Sequence, residues 1–181
     1  MNEFDILSAP LEIERKFLID YPDLNVLQQQ DNYRMIHIEQ SYLEQNERSP
    51  GGRIRRITDG KVVRYIYTCK KKISDLTRYE YEKEITEDEY RELLLFKRVG
   101  SNTIIKDRHI FSYQGLIYEL DIYEFWDDRA TLEAEVESED TPIPIPSFLR
   151  LIKEVTYDKR YNNSKLAYNH GIIEEKNIPE S

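Results

Sequence analysis

One cysteine, Cys69, stands among 181 residues. A lone thiol excludes an internal disulfide framework and a thiolate zinc cage built within one chain. No apolar run approaches the roughly 20 residues of a membrane span, and Met1 to Pro10 lacks the basic-then-apolar pattern of a secretory leader. These absences point to a reducing, cytoplasmic location. There are six glycines, none in a Walker-type phosphate loop, which excludes a helix-cradled nucleotide site. An excess of positive charge is missing too. The net charge of -9 argues against a nucleic-acid coat or an anionic membrane surface as the main partner. The histidines, His37, His109 and His170, are too scattered to argue for zinc.

What is present is polar but foldable. Charged residues make up 34% and hydrophobic ones 39%, with 14 tyrosines, richer in aromatics than disordered chains are. A chain of this size, residues 1–181, reads as one domain able to bury about two-thirds of its unfolded surface.

The hydrophobic pattern alternates with a period of two in several stretches. Strands are expected at 11–20, 35–43, 53–58, 62–70, 78–85, 102–113, 116–126 and 130–138. Asp59-Gly60 and Gln114-Gly115 sit between alternating runs and read as hairpin turns. Residues 45–52 read as a turn and 140–146, with three prolines, as a loop. Helices are expected within 21–31, from an N-cap at Thr86 to about Arg98, and over 147–153 and 163–171. Eight strands joined mostly by hairpins predict an α+β, mainly β chain: an eight-stranded antiparallel barrel with helices packed outside.

Seven stretches place two like charges two residues apart: Glu12/Glu14, Arg53/Arg55, Lys70/Lys72, Glu80/Glu82, Lys106/Arg108, Glu119/Asp121 and Glu135/Glu137. On a strand, i and i+2 share a face, so each stretch is a one-sign stripe. A solvated sheet face would give the same pattern for any single pair. Here the signs are sorted by strand. The opposite faces carry Ile13, Phe17, Ile54, Ile105, Leu120 and Val136, enough apolar surface to pack against helices. The stripes are therefore expected to share an interior. Glu12, Glu14, Glu135 and Glu137 are hard oxygen ligands suited to magnesium or manganese. The basic stripes then require a ligand of several negative charges, which a chain of phosphates fits better than one carboxylate. Lys72, in a run of three lysines, reads equally well as solvated. Tyr42, Tyr65, Tyr67 and Tyr161 read as packing residues.

The same residues resemble the CYTH superfamily, the triphosphate tunnel metalloenzymes. Glu12-Ile13-Glu14-Arg15-Lys16-Phe17-Leu18 is similar to its E-x-E-x-K signature, and Gln40-Ser41-Tyr42-Leu43 resembles its second strand. Arg53-Ile54-Arg55 resembles R-x-R, Thr68-Cys69-Lys70 T-x-K, and Arg78-Tyr79-Glu80-Tyr81-Glu82 R-x-E-x-E. Lys106-Asp107-Arg108, Glu119-Leu120-Asp121 and Ala134-Glu135-Val136-Glu137 resemble K-x-R, E-x-D and A-E-x-E. Lys153 to Thr156 and Arg160 to Asn163 resemble the closing segment. The likeness spans about Leu11 to Tyr168 and looks like the compact bacterial branch.

The resemblance implies a barrel holding a triphosphate with one or two divalent cations, and hydrolysis of inorganic tripolyphosphate. Glu12, Glu14, Glu135 and Glu137 would hold the metal, with Glu80, Glu82 and Asp121 as further candidates. Arg53, Arg55, Lys70, Lys106 and Arg108 would bind phosphate oxygens. Lys16 would contact the terminal phosphate or help activate water. The partner implied is a small-molecule triphosphate, with monomer and homodimer both open. An adenylate cyclase on the same barrel and a non-catalytic polyphosphate- or nucleotide-binding module are the alternatives; no adenine pocket is identifiable in the sequence.

Overall fold

The computed structural model describes residues 13–72, 78–136, 138 and 140–173, with side chains for all of these but 70–72 and 78–80. In chain order the strands are β1 (Ile13–Asp20), β2 (Asp31–Tyr42), β3 (Gln45–Asn46), β4 (Ser49–Pro50), β5 (Arg53–Asp59), β6 (Val62–Lys72), β7 (Arg78–Ile85), β8 (Ile104–Tyr113), β9 (Leu116–Tyr123), β10 (Arg129–Val136) and β11 (Leu151–Glu154). The helices are α1 (Leu24–Leu27), α2 (Glu87–Leu94) and α3 (Asn163–Asn169), with a 3₁₀ turn at Lys159–Tyr161.

Nine strands form one antiparallel sheet in the order β11-β1-β10-β9-β8-β2-β5-β6-β7. Both predicted hairpins form. Tyr113 faces Leu116 across Gln114 and Gly115, which both take positive φ (47° and 82°), the pairing that matches strand twist. In the other hairpin Asp59 pairs with Val62, so the turn centres on Gly60 and Lys61, with Gly60 at φ 57°.

The apolar positions opposite the charged stripes form the outer cores. Phe17, Ile19, Leu120, Leu132 and Ala134 cluster with Leu27 from the end of α1, and with Phe111 and Tyr118. Ile54 packs with Ile85 and with Tyr90, Leu93 and Leu94 of α2. That helix starts where the sequence places its cap: Thr86 accepts from the Glu89 amide while the Glu89 carboxylate accepts from the Thr86 amide.

The charged face is concave. Lys16 and Tyr42 lie on β1 and β2, four strand steps or roughly 19 Å apart along a flat sheet. Yet burial raises the Tyr42 hydroxyl, and the Arg53 guanidinium and the Lys16 ammonium both oppose that rise, an interaction across the face that only a curled sheet allows.

Three expectations change. The sheet has nine strands rather than eight, and its order ends at β7 and β11, which do not pair with each other among the described residues, so it is not the closed barrel expected. The extra strand, β11, replaces the helix expected over 147–153. Glu154, Lys153 and Leu151 pair with Phe17, Leu18 and Ile19, and the Val155 amide donates to the Lys16 carbonyl at 2.8 Å. All four β11 residues are exposed, so burial leaves no two-residue rhythm to read. Finally, the helices do not all pack outside. Leu166 and Ala167 of α3 pack with Ile104 and Tyr123, which share the charged face with Lys106 and Asp121. Smaller differences are the brief β3–β4 hairpin inside 45–52 and the end of α2 at Leu94. Beyond it the chain turns back to bridge Leu43 with Lys97.

Gly171 locks α3 in place. It sits at φ 73°, its amide donates to the Leu166 carbonyl at 3.0 Å, and its carbonyl accepts from Trp126 Nε1 at 2.9 Å. A Cβ there would lie 2.1 Å from the Phe125 ring. Gly171→Ala is expected to cost about 1–2 kcal/mol from backbone strain alone, and more from the clash, read as a lowered midpoint in urea unfolding.

Candidate functional site

Register decides which side chains meet on the concave face. Pairing of β1 with β10 sets Lys16 opposite Glu133 and Glu14 opposite Glu135. Pairing of β8 with β9 sets Arg108 opposite Asp121 and Lys106 opposite Tyr123. Pairing of β5 with β2 and β6 brings Arg53 beside Tyr42 and Thr68, and Arg55 beside Gln40 and Ile66. Glu82 lies opposite Thr68 on β7.

The deepest part is a buried ion network. Asp121 is fully buried; its Oδ1 accepts from Arg108 Nε at 2.7 Å and its Oδ2 from Arg108 Nη2 at 2.7 Å and from Lys106. Arg108 also reaches Glu119, and Glu133 Oε2 at 3.1 Å. Glu133 Oε1 pairs with the Lys16 ammonium at 2.6 Å. Burial favours neutral forms throughout, and the neighbours oppose it. Burial would raise Asp121, yet Lys106 and Arg108 hold its carboxyl well below the usual carboxylate range. Burial would lower Lys16, yet Tyr123 and Glu133 keep its ammonium above its ordinary value. Lys106 goes the other way: burial, with Arg108 beside it, pulls its ammonium down to about 8 against the attraction of Asp121.

A second cluster lies toward β6 and β7. Arg55 Nη2 donates to Glu82 Oε2 at 2.5 Å and to Thr68 Oγ1 at 3.1 Å. Its Nε is buried without a hydrogen-bond partner among the described residues. Burial and the neighbouring Arg53 hold Arg55 below its ordinary value despite Glu82. A buried guanidinium with an unused donor suits an anion. Tyr42 accepts from Gln40 Nε2 at 2.8 Å and lies opposite Arg53 across the β2–β5 pairing.

The third feature is acidic. Glu14, Glu119, Glu133 and Glu135 line a cleft of about 490 Å³ next to the β8–β9 turn. Glu14 and Glu135 are direct cross-strand neighbours, an arrangement that destabilises a sheet unless a cation joins them. This oxygen-only donor set fits a hard divalent ion. Among the described residues no three carboxylate, histidine or cysteine side chains converge as a metal cage.

The expected residues are thus placed unevenly. Glu14, Lys16, Arg53, Arg55, Glu82, Lys106, Arg108, Asp121 and Glu135 share the concave face. Glu12 and Glu137 lie outside the described residues, and Lys70 and Glu80 are placed only by backbone register, opposite each other. Asp121 and Glu82, offered as metal candidates, serve cations here. His37 is on the other face, where its Nδ1 pairs with Asp107 at 2.7 Å; His109, also outward, bonds Tyr33. Sequence reading missed Glu133. Its signal was the run Glu133-Ala134-Glu135-Val136-Glu137, three acidic positions of which only the last two were read as a stripe. Gln40, Tyr42 and Thr68 stood only as members of the second-strand and T-x-K motifs, Tyr42 also as a packing residue, and their role as polar supports was not read.

A family model for the CYTH domain matches residues 10–156. Among solved structures, the chain is similar to the inorganic triphosphatase NE1496, at 29% identity over 88% of this chain and 96% of that one, with a TM-score of 0.57. It is also similar to the PH1819 protein from Pyrococcus horikoshii OT3, at 26% identity over 71% of this chain and 80% of that one, with a TM-score of 0.52. No curated protein matches it.

Asp121→Asn strands two buried cations, and the expected loss is about 3–5 kcal/mol by urea unfolding. Glu82→Gln, which keeps an acceptor for Arg55 at a position half open to solvent, is expected to cost less than Asp121→Asn in the same measurement. Because folded Asp121 is held low, its contribution is complete above about pH 4 and is lost as the pH falls toward its folded value. The variant is therefore expected to show a shallower loss of stability on acidification than the parent chain.

Proposed function

Because this chain belongs to the CYTH domain family, we propose that it is a divalent-metal-dependent triphosphatase whose substrate is inorganic tripolyphosphate. The observation that carries this reading is the concave face itself. There Lys16, Arg53, Arg55, Lys106 and Arg108 gather beside the cross-strand pair Glu14 and Glu135. The similarity to NE1496 supports the reaction class. We read the curl of the sheet as the wall of a substrate tunnel within one catalytic domain acting in the cytoplasm.

Glu12, Glu14, Glu135 and Glu137 would hold magnesium or manganese. Bound there, the ion supplies neutralisation of phosphate oxygens and electrophilic activation. Arg53 and Arg55 bind phosphate oxygens in a planar fork, with Tyr42 opposite Arg53 on the neighbouring strand. Lys70 is assigned to the same group. Lys106 and Arg108, fixed by Asp121, hold positive charge at the bottom of the site. Lys16 acts as a cation on the terminal phosphate; an anion beside its buried ammonium, Glu133 in the free chain and phosphate in the complex, keeps the proton on and disfavours a role as general base.

Water adds to the terminal phosphorus, the phosphoanhydride P–O bond breaks, and orthophosphate and pyrophosphate leave with release of a proton to solvent. Catalysis comes from position and charge neutralisation rather than from a covalent intermediate.

The test is a panel of triphosphates with magnesium and with manganese, read by phosphate release and by product identity. Release of phosphate from tripolyphosphate, abolished by EDTA, is the expected outcome. Cyclic AMP with pyrophosphate from ATP would replace this reading with a cyclase. Tight binding without release would replace it with a binding module. Glu135→Gln is expected to lower turnover by orders of magnitude, about 10²–10³-fold or more, with an unchanged circular dichroism spectrum.

A further inference from the structure

The carboxylates on the concave face differ in how firmly they hold their cations. Asp121 is fully buried and takes three contacts, two from Arg108 and one from Lys106, so it is a permanent part of the wall. Glu82 is half open to water, so its carboxylate is readily rehydrated when Arg55 takes another anion. Glu133 is neither. It is 5% exposed, and each of its oxygens holds a different cation by one contact: Oε1 the Lys16 ammonium at 2.6 Å and Oε2 the Arg108 guanidinium at 3.1 Å. Lys16 is itself 7% exposed, and Glu133 is the carboxylate within ion-pair distance of it among the described residues.

A buried ammonium needs an anion beside it. One phosphate group held by both Lys16 and Arg108 competes for the donors that Glu133 now uses. It brings more charge and a third oxygen, so it outcompetes the carboxylate. The released carboxylate then stands next to Glu135 and Glu14, adding negative charge to the acidic cleft.

We propose that Glu133 is a positioning residue acting through Lys16 and Arg108. It is an internal anion that holds the two cations at one phosphate's span and is displaced when that phosphate binds. The proposal rests on the triphosphate reading above and adds to it that binding is an exchange of anions, with Glu133 as competitor. It follows that removing the negative charge of Glu133 strengthens ligand binding. Damage to a purely structural residue would weaken it.

The test is calorimetric titration of the full chain with the non-hydrolysable imido analogue of tripolyphosphate, in saturating magnesium. E133Q is expected to bind the analogue about tenfold more tightly than the parent chain, with a larger thermal upshift on binding. E133Q leaves Lys16 without its anion, so the comparison is repeated in a background that spares this strain. K16Q/E133Q is expected to bind several-fold more tightly than K16Q, through Arg108 alone, which keeps Asp121 and Glu119. Equal or weaker binding by the Glu133 variants, with the parent chain binding normally, overturns the proposal alone. No binding by the parent chain or any variant overturns the triphosphate reading and this proposal with it.

Discussion

Opposite charges gathered on one concave sheet face must neutralise each other before they can act on anything else. The pairing of β8 with β9 meets this demand at depth: Arg108 and Lys106 face a strand bearing Asp121, and the three form one buried unit. Replacing that unit with well-packed apolar residues would cost little stability. Its presence has to be understood by what it makes available, two cations fixed in a place where water screens them weakly. Lys16 joins the unit from β1 through Glu133, so the registers of two different strand pairs both bear on the same charge cluster.

Cations toward β6 and β7 are held more loosely. Arg55 shares Glu82 with Thr68 near solvent and keeps a buried Nε in reserve. The face is therefore graded, from fixed pairs near β8 and β9 to exchangeable ones near β5 and β7, with the carboxylates Glu14 and Glu135 at the β1–β10 border. A polyanion entering with a divalent ion would meet both kinds of group at once.

Most of this could be read from residue order because strands make it local. A period of two fixes which residues share a face, so the stripes at 53/55, 106/108, 119/121 and 135/137 and the apolar set opposite them were legible. Which carboxylate meets which cation was not, because that depends on register between strands far apart in the chain. Lys16 and Glu133 are 117 positions apart and meet only through the β1–β10 ladder. The helical pattern ending at Gly171 was visible as well. The face it covers was not, because Ile104 and Tyr123 interrupt otherwise charged stripes and carry no mark of the helix they receive. β11 escaped detection because an edge strand exposed along its length needs no amphipathic rhythm.

That edge has a bearing on colloidal behaviour. Leu151 and Ile152 are 44% and 45% exposed on a strand whose outer side has no ladder among the described residues. Such a strand invites zippering with another chain. Here Arg150 precedes the apolar pair and Lys153 follows it, and a bulge at Ile152 breaks the straight run of amide and carbonyl groups. Charged side chains on both sides of the apolar pair, on a kinked strand, are the gatekeeping devices that blunt an open sheet margin against zippering.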